Sequence, residues 1–260
     1  MKLSIVIPVY NSAKIIETLV KNIKLNLNKK LSNKFEIIFV NDCSIDKSWS
    51  SIKKLSKKYF FIKGIDLKNN VGQHAAIFIG LKFSTGEKII VMDDDLQHPP
   101  SRIITIYNKL KNFDTCYTLY LNRKHIFWKI LVSDINNLFS SLILNKPHKV
   151  YLSSFKGFSA EVKNKFIRSR PKIVFLDSLI LKYSKNITSI NIIHQDRLEG
   201  DSNYTAKKLF KLWFDMIENF HIYPLRFGTF VGMISFSFIR LFRLLKKKKH
   251  FTYKIRNKTF

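Results

Sequence analysis

Within the first hundred residues, short β-branched runs alternate with amphipathic helical stripes, and this alternation restricts the chain to few architectures. Leu3 to Val9 is closed by Tyr10-Asn11-Ser12, after which Ile15, Ile16, Leu19, Val20 and Ile23 recur at helical spacing. Phe35 to Val40 reads as a buried strand, Asn41 to Asp46 as a polar turn, and Trp49, Ile52 and Leu55 as the stripe of a second helix. A third strand over Phe60 to Ile65 follows, then a helix from Gly72 to Phe83 with Ala75, Ala76 and Gly80 on a small-residue face, then a strand over Lys88 to Met92. The pattern predicts an α/β fold, a Rossmann-type and mostly parallel sheet flanked by helices that binds ligands outside the carboxyl ends of its strands. The turns at Tyr10-Asn11, Asn41-Asp42 and Asp93-Asp94-Asp95 all fall at that edge. Beyond Pro100 the order loosens into a helix over Arg102 to Lys111, a strand over Thr115 to Leu121, an amphipathic stretch from Ile126 to Leu144 and a helix from Tyr204 to Phe220.

The run Val91-Met92-Asp93-Asp94-Asp95-Leu96-Gln97-His98-Pro99-Pro100 carries the clearest chemistry. Three adjacent carboxylates repel one another unless a cation sits among them. In an extended segment alternate residues point the same way, so Asp93, Asp95 and Gln97 are expected to face one site and Asp94 another. Hard oxygen ligands of this kind suit Mg²⁺ or Mn²⁺ bridging phosphates. His74, His98, His194 and His221 show no metal spacing and are read as packed or surface histidines, with His98 near the site.

The Asp-x-Asp-Leu-Gln-His-Pro-Pro segment resembles that of the polyprenyl-phosphate sugar synthases in glycosyltransferase family 2, the group that includes dolichyl-phosphate mannose synthase. The resemblance extends through Ser4-Ile5-Val6-Ile7-Pro8-Val9-Tyr10-Asn11, Val40-Asn41-Asp42-Cys43-Ser44, Gly72-Gln73-His74-Ala75-Ala76 and Arg197-Leu198-Glu199-Gly200-Asp201-Ser202-Asn203-Tyr204. It implies a GT-A-like fold and a metal-dependent transfer from a nucleotide sugar, for which a UDP-linked donor is preferred over a GDP-linked one although the sequence does not read out the base. Pro8 and Tyr10 would flank the base, Asp42 would bond base or ribose, and Asn11, Gln73, Asp93, Asp94 and Ser202 would complete the donor pocket. Asp95 and Arg197, with Arg123 just past the fifth strand, would act on the diphosphate, Arg197 as a fork on its oxygens. Cys43 stands where the family has Gly, a residue suited to turns by its permissive backbone.

The implied division is a catalytic domain over 1–220, with a nucleotide-sugar half at 1–100 and an acceptor half at 101–220, followed by a basic, apolar segment at 221–260. The formal net charge of +28 attracts polyanions, and Arg240, Arg243, Lys246 to Lys249, Lys254, Arg256 and Lys258 fall in a stretch without acidic residues. Phe227 to Ile239 is apolar but shorter than the roughly 20 residues that span a bilayer. The expected C-terminal element is therefore a membrane-associated helix with its lysines on anionic headgroups at the cytoplasmic face. A lipid-phosphate acceptor is already anionic near neutral pH and needs no strong base, whereas a saccharide acceptor in polysaccharide synthesis would need one. A non-catalytic nucleotide-sugar or membrane-binding module is the reading from another class, and the intact Asp93, Asp95, Gln97 and Arg197 argue against it. A nucleic-acid partner would match the charge but not the ordered motifs, so none is expected. Cys43 and Cys116, the only cysteines, have no CxxC spacing, which points to a reducing compartment.

Overall fold

The computed structural model describes residues 1–32, 34–121, 150–169, 171, 175–193 and 252–260. They form, in chain order, β1 (Leu3–Val9), α1 (Ile16–Leu31), β2 (Phe35–Asn41), α2 (Ser48–Lys58), β3 (Ile62–Leu67), α3 (Gln73–Lys82), β4 (Lys88–Val91) and α4 (Arg102–Lys109). Then come β5 (Thr115–Leu121), β6 (Lys156–Ser159), α5 (Ala160–Arg168), α6 (Leu176–Tyr183), β7 (Ile187–Ile193) and β8 (Ile255–Lys258). All eight strands join one sheet in the order β7-β5-β6-β4-β1-β2-β3-β8.

Strand alternation sorts the core into two layers. Leu3, Ile5, Ile7 and Val9 of β1 with Ile37 and Phe39 of β2 pack under α1, α2 and α4. Val6, Ile38, Val40 and Ile65 pack against α3, α5 and α6 on the other face. Both faces of the inner strands are buried, which is why they read as nearly continuous apolar runs. Gly80 lets α3 lie close on the sheet, since a Cβ there would come within 2.7 Å of Val6 and 2.8 Å of Val40.

Two expectations change. The sheet is mixed: β1/β2, β1/β4, β2/β3 and β5/β7 are parallel, whereas β4/β6, β5/β6 and β3/β8 are antiparallel. The parallel series ends with β4, because β6 inserts between β4 and β5 running the other way. The expected C-terminal membrane-associated helix also gains no support. Residues 221–251 lie outside the described residues, and Ile255–Lys258 forms an edge strand on β3 instead. Thr259 Oγ1 accepts the Gly64 amide at 2.8 Å, Arg256 reaches the buried Asp66 at 3.8 Å, and Phe260 meets Phe83 edge-on. The exposed Arg256 and Asn257 make this a polar outer edge, as suits a strand with no further neighbour among the described residues. Among the described residues no helix is long and apolar enough to cross a membrane. The third strand begins at Ile62 rather than Phe60, because the Ile62 amide closes a turn on the Tyr59 carbonyl and leaves Phe60 72% exposed. The stretches 126–144 and 204–245 lie outside the described residues.

One buried carboxylate pins the far edge of the sheet. Glu36 Oε1 accepts from Ser4 Oγ at 2.5 Å, Thr85 N at 2.6 Å and Thr85 Oγ1 at 2.9 Å, while Oε2 is 2.7 Å from Lys63 Nζ. Burial opposes ionisation of Glu36, but Lys63, Ser4 and Thr85 together outweigh it and hold the carboxyl below its ordinary value of 4.5. A depressed folded-state pKa adds stability above the unfolded value, and that stability is lost as pH falls through the folded one. Glu36→Gln is therefore expected to destabilise by about 1–3 kcal/mol at neutral pH. Urea midpoints measured across a pH series should show the gap to wild type closing as the medium is acidified below the ordinary carboxylate pKa. A gap that stays constant on acidification would contradict this account.

Candidate active site

The sheet order places a topological switch point between β1 and β4, since β1 leads to β2 on one side while β4 lies on the other. Pro8 helps to open the crevice there. Pairing of β1 with β4 ends at Val6↔Val91, and the Val6 carbonyl still accepts the Met92 amide at 3.3 Å. Two residues on, Pro8 has no N–H to offer on that side, while β1 continues to pair with β2 as far as Val9↔Asn41. Pro8 itself is buried in the strand, and Tyr10, 53% exposed, is the ring that the edge presents to solvent.

Three turns interlock across the crevice. Asn11, at φ 57°, donates its amide to Ser44 Oγ and accepts the Ile45 amide on Oδ1, both at 3.0 Å, which ties the β1 turn to the β2 turn. Ser12 Oγ donates to Asp94 Oδ2 at 2.5 Å, joining β1 to β4. Asp42 accepts the amides of Val71 at 2.7 Å and Gly72 at 2.9 Å, so its carboxylate shapes the β3–α3 loop. Burial raises the Asp42 pKa and those two amides oppose the rise. The loop presents Gln73, the first residue of α3, whose Nε2 donates to Asp93 Oδ1 at 2.6 Å.

The carboxylate turn itself is bent rather than extended. Asp95 Oδ1 accepts the Gln97 amide at 3.1 Å, and Leu96 adopts φ 63° with its side chain buried. The strand-alternation argument for a shared face of Asp93, Asp95 and Gln97 therefore does not apply, although Asp94 does turn away toward Ser12. A non-glycine residue at positive φ is held only where its surroundings dictate it, and such residues cluster at functional sites. Burial, and then the charges of Asp93 and Asp95, push the Asp94 carboxyl up to about 7, with the Ser12 hydrogen bond opposing. A cation among these groups would relieve that repulsion, so the oxygen-rich turn fits a divalent metal. Among the described residues no group of three or more His, Cys, Asp or Glu side chains is placed to hold a metal ion by itself. A cation shared with substrate phosphates is commonly held by only one or two protein carboxylates.

Sequence reasoning did not single out Ser12, while His98 is found packed beside the site, as expected. The ring of His98 is 3% exposed, and its Nδ1 accepts the Asp93 amide at 2.9 Å. His74 packs on Phe175 at 5.0 Å, as a packed histidine should, with burial lowering its pKa. Arg123, Arg197 and Ser202 lie outside the described residues. Leu121 and Ile193 end β5 and β7, which run parallel to β4, so both strands leave the sheet at the edge where the carboxylates stand.

Cys43 has φ 61°, the left-handed conformation that its place in the β2 turn demands and that glycine adopts without strain. Cys43→Gly is expected to stabilise the fold by about 1 kcal/mol, read as a higher urea midpoint. A lower midpoint would mean that the contact of Cys43 Sγ with the Lys68 carbonyl, at 3.3 Å, outweighs the strain.

Known proteins share both the sequence and the fold. The profile of glycosyl transferase family 2 matches residues 4–167. An undecaprenyl-phosphate 4-deoxy-4-formamido-L-arabinose transferase of Salmonella choleraesuis (strain SC-B67) is 30% identical over 235 residues, covering 90% of this chain and 72% of that protein. The transferase of the same description from Salmonella typhimurium is 29% identical with the same coverage. Among solved structures, glucosyl-3-phosphoglycerate synthase from Mycobacterium tuberculosis with Mn²⁺, UDP and phosphoglyceric acid superposes with a TM-score of 0.61. It is 15% identical, and the match covers 85% of this chain and 79% of that one. Residues 1-349 of Staphylococcus aureus TarS in complex with UDP-GlcNAc give a TM-score of 0.55 at 19% identity, covering 84% and 66%. With the motifs around Asn11, Asp42, Gln73 and Asp93 gathered at one switch-point crevice of a GT-A-like sheet, the chain is a glycosyltransferase and belongs to glycosyl transferase family 2.

Proposed function

We propose that the enzyme moves a sugar from a nucleotide sugar, UDP-linked rather than GDP-linked, to a polyprenyl phosphate at the cytoplasmic face of a membrane. The observation that carries this reading is the three-carboxylate turn at the end of β4, locked to the β1 turn through Ser12–Asp94 and to α3 through Gln73–Asp93. The acceptor class is supported by the relatives, whose names specify undecaprenyl phosphate and which match 90% of this chain. A uridine donor is supported by the similar folds that hold UDP or UDP-GlcNAc.

Asp93, Asp95 and Gln97 would hold Mg²⁺ or Mn²⁺, whose contribution when bound is to neutralise the leaving diphosphate. Tyr10 offers its exposed ring to the base, and Asp42 fixes the loop that carries Gln73. Arg197 and Arg123, which lie outside the described residues, would pair with phosphate oxygens, and Ser202 would belong to the same donor pocket. An acceptor phosphate oxygen attacks the anomeric carbon while the bond from that carbon to the diphosphate breaks on the opposite face, which inverts the configuration. The acceptor oxygen is already anionic, so positioning and charge stabilisation suffice without a general base.

The test is a panel of labelled UDP- and GDP-sugars offered with undecaprenyl phosphate, followed by phase separation. Label from a UDP-sugar in the organic phase, released by mild acid, is expected. Label that accumulates only in a polysaccharide fraction would overturn the lipid-phosphate acceptor, and label from GDP-sugars alone would overturn the donor.

A further inference from the structure

The carboxylate turn is closed by the His98 ring, which meets both the amide and the carboxylate of Asp93. His98 stacks on Phe155 with centroids 4.9 Å apart and planes 11° off parallel, and lies 6.2 Å from the Tyr120 ring at 23°. This packing leaves little freedom to rotate. Nδ1 accepts the Asp93 amide at 2.9 Å, so the neutral imidazole carries its proton on Nε2. Nε2 in turn stands 3.3 Å from Ser154 Oγ and 3.7 Å from Asp93 Oδ2. The other carboxylate oxygen, Oδ1, is held by Gln73 at 2.6 Å. Both the main chain and the carboxylate of Asp93 are thus fixed by neighbours. The left-handed Leu96 sits within the loop that the His98–Asp93 bond closes.

We infer that His98 is a positioning residue: by closing the turn on the Asp93 amide and facing the Asp93 carboxylate, it presets that carboxylate for a divalent cation. Partners of this kind orient the first ligands of metal sites, and their loss weakens metal binding even though they touch no metal. The inference rests on the reading of Asp93 and Asp95 as metal ligands. It assigns His98 no proton transfer to substrate.

The experiment measures Mn²⁺ binding by electron paramagnetic resonance, in the presence of UDP, GDP, CDP or dTDP in turn. The full chain is compared as wild type, His98→Phe, His98→Asn and Asp95→Ala. Phe keeps a ring against Phe155 but removes both nitrogens, whereas Asn places an amide oxygen where Nδ1 stands. His98→Phe is expected to weaken Mn²⁺ binding by about 10- to 100-fold with an unchanged far-UV circular dichroism spectrum. His98→Asn should bind Mn²⁺ nearly as well as wild type even if its melting temperature falls, a split that a purely structural role would not produce. Wild-type binding in His98→Phe, or binding in His98→Asn as weak as in His98→Phe, would overturn the inference. Undiminished binding in Asp95→Ala, or none in wild type with any nucleotide, would instead overturn the metal site on which it rests.

Discussion

Asp95→Ala is expected to lower sugar transfer by about a thousandfold or more, because on the proposed reading it would remove a ligand from the cation that neutralises the leaving diphosphate. The fold should not suffer. Asp95 lies in a turn where Asp93, Asp94 and Asp95 stand together, and Asp94 is pushed up to about 7 by burial and then by its two charged neighbours. Removing Asp95 relieves some repulsion but gives up the bond it accepts from the Gln97 amide, so in metal-free buffer the melting temperature should shift by only a few degrees. Lost transfer without lost stability separates a ligand from a structural carboxylate. Unimpaired activity in Asp95→Ala would remove Asp95 from the chemistry, and a collapse in melting temperature would show it to be structural.

The largest effect on stability is expected elsewhere, at a buried ion pair that no motif announces. Lys156 of β6 donates to Asp177 of α6, and Tyr117 of β5 donates its hydroxyl to the same carboxylate oxygen at 3.0 Å. Lys156 is 2% exposed, Asp177 5% and Tyr117 0%. Burial, and then Asp177, raise the Tyr117 pKa, so the phenol remains a donor. Asp177→Ala leaves an ammonium and a hydroxyl buried without their partner and is expected to cost about 3–5 kcal/mol. A coordinated replacement, Lys156→Met with Asp177→Leu and Tyr117→Phe, removes every polar group at once and should recover most of that loss. Urea melts of the two variants and wild type check the pair of outcomes. Equal loss in both variants would mean that shape, rather than charge burial, decides stability there.

These two predictions differ in how far the sequence could foresee them. The carboxylate turn was legible because β1, β2 and β4 read as short apolar runs and α1 and α2 as helical stripes between them, and because a strand must end somewhere polar if it is to deliver a ligand to the sheet edge. Leu3–Val9 and Phe35–Asn41 are found where their apolar runs place them. What was not legible depends on contacts distant in sequence. Lys156–Ser159 is four residues with a Gly and two polar side chains, and only its place between β4 and β5 makes it a strand. Ile255–Lys258 reads as part of a basic tail, and pairing with β3 is what gives it a role. His98 falls within a recognised motif, yet the positioning role inferred for it depends on Ser154 and Phe155, which arrive from β6's approach to the sheet. The reversed direction of β6 is likewise a tertiary outcome, invisible to a periodicity that reports only which face a residue takes. Cys43 is the intermediate case: the missing glycine could be read, and the structure supplied the positive φ that gives the absence its energetic meaning.

The central claim, that the β4 turn binds a divalent cation on a nucleotide diphosphate, is tested most directly by anomalous diffraction at the manganese edge from crystals grown with Mn²⁺ and UDP. The account predicts a Mn²⁺ peak bonded to the Asp95 carboxylate and to diphosphate oxygens in the crevice between β1 and β4. A bound diphosphate with Mn²⁺ elsewhere on the chain, away from Asp93 and Asp95, would contradict it.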